Sequence, residues 1–315
     1  MYYPIIRGRQ YDLLALRELL EKNLLSEKVI PVIEPTKLSP TLVSTINSFK
    51  ENSRKIILVS NPKIGSFHGE LAMPSIYSKF LSLMNLDNVI IGHQLNGNSK
   101  NEIRKLSDDV SLSLENLVIF HTERKFIQLY REIYSSFKAY LNIIPSDNSF
   151  RRQLDDQNLV GLSDKFNKLP RNADYLEIES EFFSEEHLFY EKEGYIGFSD
   201  YSIVGAEYNT SGFAPYAVAF HIVYPNSEGG LEIMHFVSDS NTDISDPAGK
   251  FSEALEKMMS WYYDIKADKR MHTLAMQSFE DHHKKGTYPG LATIKKLSIM
   301  HHLELMGSLL SSRVK

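Results

Sequence analysis

Asn88-Val89-Ile90-Ile91-Gly92-His93 and Asn116-Leu117-Val118-Ile119-Phe120-His121 are two short apolar runs that enter on Asn and leave on His. Continuous β-branched runs of this length read as strands buried on both faces, the kind found in parallel sheets. Between them, residues 99–113 carry helical spacing, and residues 124–137 do so after the second run. Strand, helix, strand, helix is the βα unit.

The same unit recurs outward from this pair. Upstream, residues 55–61 form a run ended by Pro62, and Pro74 opens a helix bearing Ile76, Phe80, Leu81 and Met84. Before that, residues 29–34 form a run broken by Pro35. Ser39 and Pro40 then supply an N-cap and a first-turn proline for a helix to about residue 52. Residues 2–7 open the chain as a strand, followed by Tyr11, Leu14, Leu16, Leu19 and Leu20 on one helical face. Downstream, residues 140–144, 159–162 and 194–198 add three more runs, although the Asn-, Asp- and Glu-rich stretch 165–183 shows no helical spacing. Eight strands in series predict an α/β fold of the TIM-like (β/α)8 barrel type. A doubly wound open sheet uses the same alternation. Strand count and the absence of any Gly-x-Gly-x-x-Gly favour the barrel.

Residues 217–224 and 231–237 alternate on either side of a turn and predict a β-hairpin within an insertion at 206–245. Residues 246–315 read as C-terminal helices: Asp246 and Pro247 open one, Gly286 closes the next, and an amphipathic helix spans about 291–310 with His301 and His302 on its surface. No linker-like stretch divides the chain, which predicts one decorated domain over 1–315.

Composition narrows the function classes. In 315 residues, 42% are hydrophobic and 24% charged, the mix of a folded globular chain. Lys and Arg total 35 against 40 Asp and Glu, giving −5, so net charge supplies no reason to bind nucleic acid or an anionic membrane. Zero cysteines exclude disulfides, thiolate metal sites and thiol nucleophiles, and fit a cytoplasmic setting. No apolar stretch approaches the ~18 residues of a membrane span, and the start does not read as a signal peptide. The P-loop, zincin and nucleophile-elbow motifs are missing. Asn209-Thr210-Ser211 spells a glycosylation acceptor with no signal peptide to deliver it.

The opening Tyr2-Tyr3-Pro4-Ile5-Ile6-Arg7-Gly8-Arg9-Gln10-Tyr11-Asp12, the segment Ile30-Pro31-Val32-Ile33-Glu34-Pro35, and Gly197-Phe198-Ser199-Asp200-Tyr201 with His235-Phe236-Val237-Ser238-Asp239 resemble the beta protein family of phages and bacteria. The resemblance spans most of the chain. It implies a phage or bacterial setting and a part in phage–host conflict or antiviral defence, and it supplies no catalytic residue.

Barrel sites form at the carboxyl ends of the strands. Those ends read Arg7, Glu34, Asn61, His93, His121, Ser146 or Asp147, Asp164 and Asp200. Carboxylates, histidines and an arginine in one mouth suit a divalent metal or a phosphorylated ligand. Glu34 closes an apolar strand and needs a partner, whether a metal, Arg7 or a ligand. Gly161-Leu162-Ser163-Asp164 and Gly197-Phe198-Ser199-Asp200 end consecutive strands, so Asp164 and Asp200 are expected to share a metal with Glu34 or to divide acid and base roles; the alternative is that each Ser-Asp pair caps a turn. His93 and His121 are expected as a proton-transfer or ligand pair, or as structural groups. Arg7 and Arg9, flanking Gly8, with Asn61, Ser163 and Ser199, are the expected ligand contacts. Two functions follow from these readings. One is a hydrolase or lyase acting on an anionic small substrate with a divalent metal. The other is a non-catalytic sensor or partner subunit that engages a protein.

Overall fold

A computed structural model describes residues 1–154, 157–209 and 215–312. Thr210 and Ser211 of the glycosylation triplet, and part of the 206–245 insertion, lie outside the described residues. The strands, in chain order, are β1 (Ile5–Arg7), β2 (Val32–Glu34), β3 (Ile56–Val59), β4 (Val89–Gln94), β5 (Leu117–Phe120), β6 (Leu141–Pro145), β7 (Leu159–Leu162), β8 (Ser180–Ser184), β9 (Gly197–Ser199), β10 (Ala219–Pro225) and β11 (Leu231–Val237). By packing, the chain forms two compact units.

The first unit comprises Met1–Leu13, Glu27–Ser163 and Phe189–Tyr201. All its sheet pairings are parallel, in the order β1-β2-β3-β4-β5-β6-β7-β9. The ends meet, because Tyr2 bridges Phe198 and the Ile5 N–H donates to the Asp200 carbonyl at 2.8 Å. The expected (β/α)8 barrel is therefore the fold. Residues of six of the strands fill the lumen: Ile5, Val32, Val59, Val118, Ile143 and Val160 belong to one buried cluster. Such branched side chains suit the layered interior of an eight-stranded barrel. Ser39 caps helix Pro40–Glu51 as the sequence requires, its hydroxyl accepting the Leu42 N–H at 3.1 Å.

The second unit comprises Leu14–Ser26, Asp164–Leu188 and 202–315. Here β10 and β11 form the expected antiparallel hairpin, with His221 opposite His235. A third strand, β8, joins β11 from the polar stretch that showed no helix. Its sequence Ser-Glu-Phe-Phe-Ser alternates poorly because it is an edge strand with Phe182 exposed. Helices Pro247–Ile265, Leu274–Lys285 and Leu291–Ser312 follow, the first capped by Asp246 and the second closed by Gly286. One expectation is corrected: His301 and His302 are fully buried, not on a helix surface. His301 Nε2 donates to the Val223 carbonyl at 2.7 Å, and its Nδ1 accepts from the Thr273 hydroxyl at 2.8 Å. From Ile299 to Met306 that helix is buried on nearly every side, so it has no polar face to carry them. No described helix is long and apolar enough to cross a membrane.

Candidate functional site

The carboxyl ends of β1 to β4 build a polar floor above the apolar lumen. In register, Arg7 lies opposite Glu34, and both are buried. An unpaired carboxylate there would be costly. Glu34 instead forms an ion pair with Arg7 and accepts from Gln94 Nε2 at 2.7 Å and from the Lys63 N–H at 3.1 Å. Arg7 also lies over the Tyr201 ring, 4.8 Å from its centroid. Glu34, Gln94, Thr122 and Tyr201 border a small cavity of about 40 Å³, which His121 also touches. That is room for one or two water-sized groups.

Two glycines shape the rim. A Cβ on Gly8 would stand 2.9 Å from Pro35 Cα, so the loops after β1 and β2 touch at that glycine. Gly65 has φ +67, and a Cβ there would meet the Thr36 carbonyl at 2.7 Å. The loops after β2 and β3, which carry Lys37 and Lys63, therefore pack closely. Both lysines are exposed, and among the described residues neither ammonium has a hydrogen bond or ion pair. Arg9, Arg124 and Lys125 add cations on neighbouring strand-end loops, against Glu70, Glu123 and Asp147; Lys125 is paired with Glu123 at 2.5 Å. With Lys37 and Lys63, those residues total five cations against three carboxylates.

Most of the other expected site residues are engaged elsewhere. His93 and His121 have the wrong parity for the lumen, since Gln94, Phe120 and Thr122 occupy that face. His93 Nε2 pairs with the Ser99 hydroxyl at 2.9 Å, with Glu102 3.6 Å away. His121 Nε2 pairs with Asn142 Oδ1 at 2.9 Å, its ring edge-on to Tyr130. Burial pushes both imidazoles down to about 4, against the pull of Glu102 on His93 and Asn142 on His121. They are neutral at physiological pH, each fixed to its own partner, and do not form a proton-transfer pair. Asn61 ties β3 to β4 by donating to the Gln94 carbonyl at 2.9 Å and accepting the Gln94 N–H at 2.8 Å. Ser199 donates to the Tyr3 carbonyl at 2.6 Å.

The expected metal set is not assembled. Among the described residues no group of three or more His, Asp or Glu side chains could hold a metal ion. Asp200 is buried and accepts from the Tyr2 hydroxyl at 2.6 Å; burial first, then Asp200, holds that phenol well above its usual range. Asp164 groups with the second unit, where it is exposed and accepts the Ala206 N–H at 2.8 Å, a tie between segments 42 residues apart in the chain and not a cap on its own turn. Ser163 lends its backbone N–H to the Ser199 carbonyl at 3.0 Å, which continues the β7–β9 pairing.

Gln94, Thr122, Tyr201, Lys37 and Lys63 were not singled out in the sequence. The signal for the first three was strand parity: each lies two residues beyond a lumen-facing position, as Glu34 does beyond Val32. No protein-family model matches the chain, and neither curated proteins nor solved structures yield a significant match.

Proposed function

We propose that the barrel mouth binds a phosphorylated or otherwise anionic small molecule without a metal ion, and that the chain is a binding component, not a hydrolase or lyase. The observation that carries this reading is the pair of unpartnered ammonium groups, Lys37 and Lys63, on two strand-end loops joined at Gly65 and Thr36. Beneath them the floor is electrically balanced, because Arg7 and Glu34 neutralise each other. An anion at the rim gains two cations, and the Arg7–Glu34 pair adds no net charge. The small cavity below accepts a hydroxyl or water-sized substituent through Gln94, Thr122 and Tyr201.

A hydrolytic or lyase mechanism needs a base, a nucleophile or a metal at this mouth. The histidines expected to supply one are neutral and turned to the helix side, and Glu34 accepts from three donors. Binding without turnover is the function these groups support. The family resemblance suggests a sensor or partner subunit in phage–host conflict as its setting.

Thermal unfolding against a panel of phosphorylated metabolites, with and without EDTA, tests the reading. A ligand that binds only the folded state at 100 times its Kd adds about 2.7 kcal/mol. The expected result is a raised midpoint with EDTA present, lost in Lys37→Gln, Lys63→Gln. A shift that needs Mg²⁺ or Zn²⁺, or product released from the ligand, would favour the enzyme reading.

A further inference from the structure

At the amino ends of the same strands, opposite the mouth, lies a second cavity of about 400 Å³, far larger than the 40 Å³ at the mouth. Small-molecule sites typically occupy roughly 300–1,000 Å³. Its polar walls are Asn85 and residues that lead into four strands: Lys55 before β3, Asp87 before β4, Asn116 before β5 and Tyr140 before β6. Its apolar surface includes Ile90 and Leu112.

The charges on this cavity are arranged in a telling way. Lys55 Nζ donates to the Asp87 carbonyl at 2.9 Å, which uses one of its three N–H groups and fixes the ammonium beside the Asp87 backbone. The Asp87 carboxylate itself has no hydrogen bond and no ion pair among the described residues, with Lys55 or with any other cation. The Asn116 carboxamide and the Tyr140 hydroxyl likewise have no hydrogen-bond partner there. One cavity thus carries an ammonium and a carboxylate that form no ion pair with each other, next to unspent neutral donors and acceptors and an apolar wall.

We propose that this cavity binds a zwitterionic small molecule of the α-amino acid class with an apolar side chain. The ligand carboxylate meets the two remaining Lys55 N–H groups, and its ammonium meets Asp87. Its side chain covers Ile90 and Leu112, and the Asn116 and Tyr140 side chains complete the polar contacts. A carboxylic acid or an amine alone satisfies one wall charge and leaves the other unmatched, so discrimination comes from carrying both charges. The site shares no residue with the mouth, and its fate is independent of the reading given for the mouth.

Isothermal titration of the full chain with L-leucine and L-phenylalanine tests the proposal. The controls are 4-methylpentanoate, which lacks the ammonium, and 3-methylbutylamine, which lacks the carboxylate. The expected result is saturable binding of an amino acid at one per chain, with both controls at least about tenfold weaker. Lys55→Met and Asp87→Asn each should weaken it by about tenfold, and both side chains are exposed, so the unliganded melting midpoint should not move. The proposal is overturned if neither amino acid binds, if a control binds as well as the amino acid, or if affinity survives in both variants.

Discussion

Lowering the pH from 8 to 5 should unfold this protein far more readily than its carboxylates alone would require. Five histidines, His93, His121, His221, His301 and His302, are held in the folded chain at about 4, 4, 3, 4 and 3, with burial as the leading cause each time. In the unfolded chain each returns to about 6.5. The folded values are depressed, so the unfolded state binds more protons than the folded one between about pH 6.5 and 4. The histidine contribution to stability is therefore complete above pH 6.5 and is lost as pH falls through that window. Each group costs roughly 1.4 kcal/mol per pH unit below its unfolded value. All five are deeply enclosed, so solvent screening weakens this little. Together they remove several kcal/mol per unit from a total that is about 5–15 kcal/mol for an ordinary fold. Urea midpoints at pH 8, 7, 6 and 5 measure the loss, and calorimetry in buffers of different ionisation enthalpy counts the protons. About four or five should be taken up on unfolding at pH 5, and almost none at pH 8. A flat midpoint between pH 7 and 5, or uptake of one proton or fewer, would refute both the burial argument and the claim that His93 and His121 are neutral structural groups.

Three further outcomes follow from named contacts. Arg7→Met leaves Glu34 buried without its cation and should cost about 3–5 kcal/mol in urea denaturation, with Arg7→Met, Glu34→Gln recovering part of it; strictly additive losses would mean that the pair is not coupled. Gly65→Ala forces a side chain into a positive-φ position against the Thr36 carbonyl and should cost at least about 1–3 kcal/mol while weakening anion binding at the mouth; a neutral effect on both would separate the glycine from the site. Ser39→Ala removes the cap of helix Pro40–Glu51 and should cost about 1 kcal/mol without touching ligand affinity, as measured by the same two assays.

The barrel was legible because its strands are buried on both faces and read as continuous apolar runs set off by Pro and Asn, with Ser39, Asp246 and Gly286 as local stop and start signals. The strand β8 was not, since an edge strand with one exposed face has no such run. At the site, Arg7 and Glu34 were found because a carboxylate closing a buried strand must have a partner. His93, His121 and Asp200 were expected at the mouth because each is the first polar residue past a run, whereas side-chain alternation turns them outward and gives the lumen face to Gln94, Thr122 and Tyr201. Polarity marks where a strand ends, and parity decides which residue enters the mouth. The loops that carry Lys37 and Lys63 approach at Gly65 and Thr36, a contact that no local pattern encodes.

The most direct test of the anion-binding mouth is calorimetric titration of the wild-type chain and of Lys37→Gln, Lys63→Gln with a phosphorylated metabolite drawn from the thermal panel, in EDTA throughout. Metal-free binding at one per chain, weakened at least tenfold in the variant, is the result predicted here. Binding that appears only when a divalent metal is restored, or that is equal in both proteins, would contradict it.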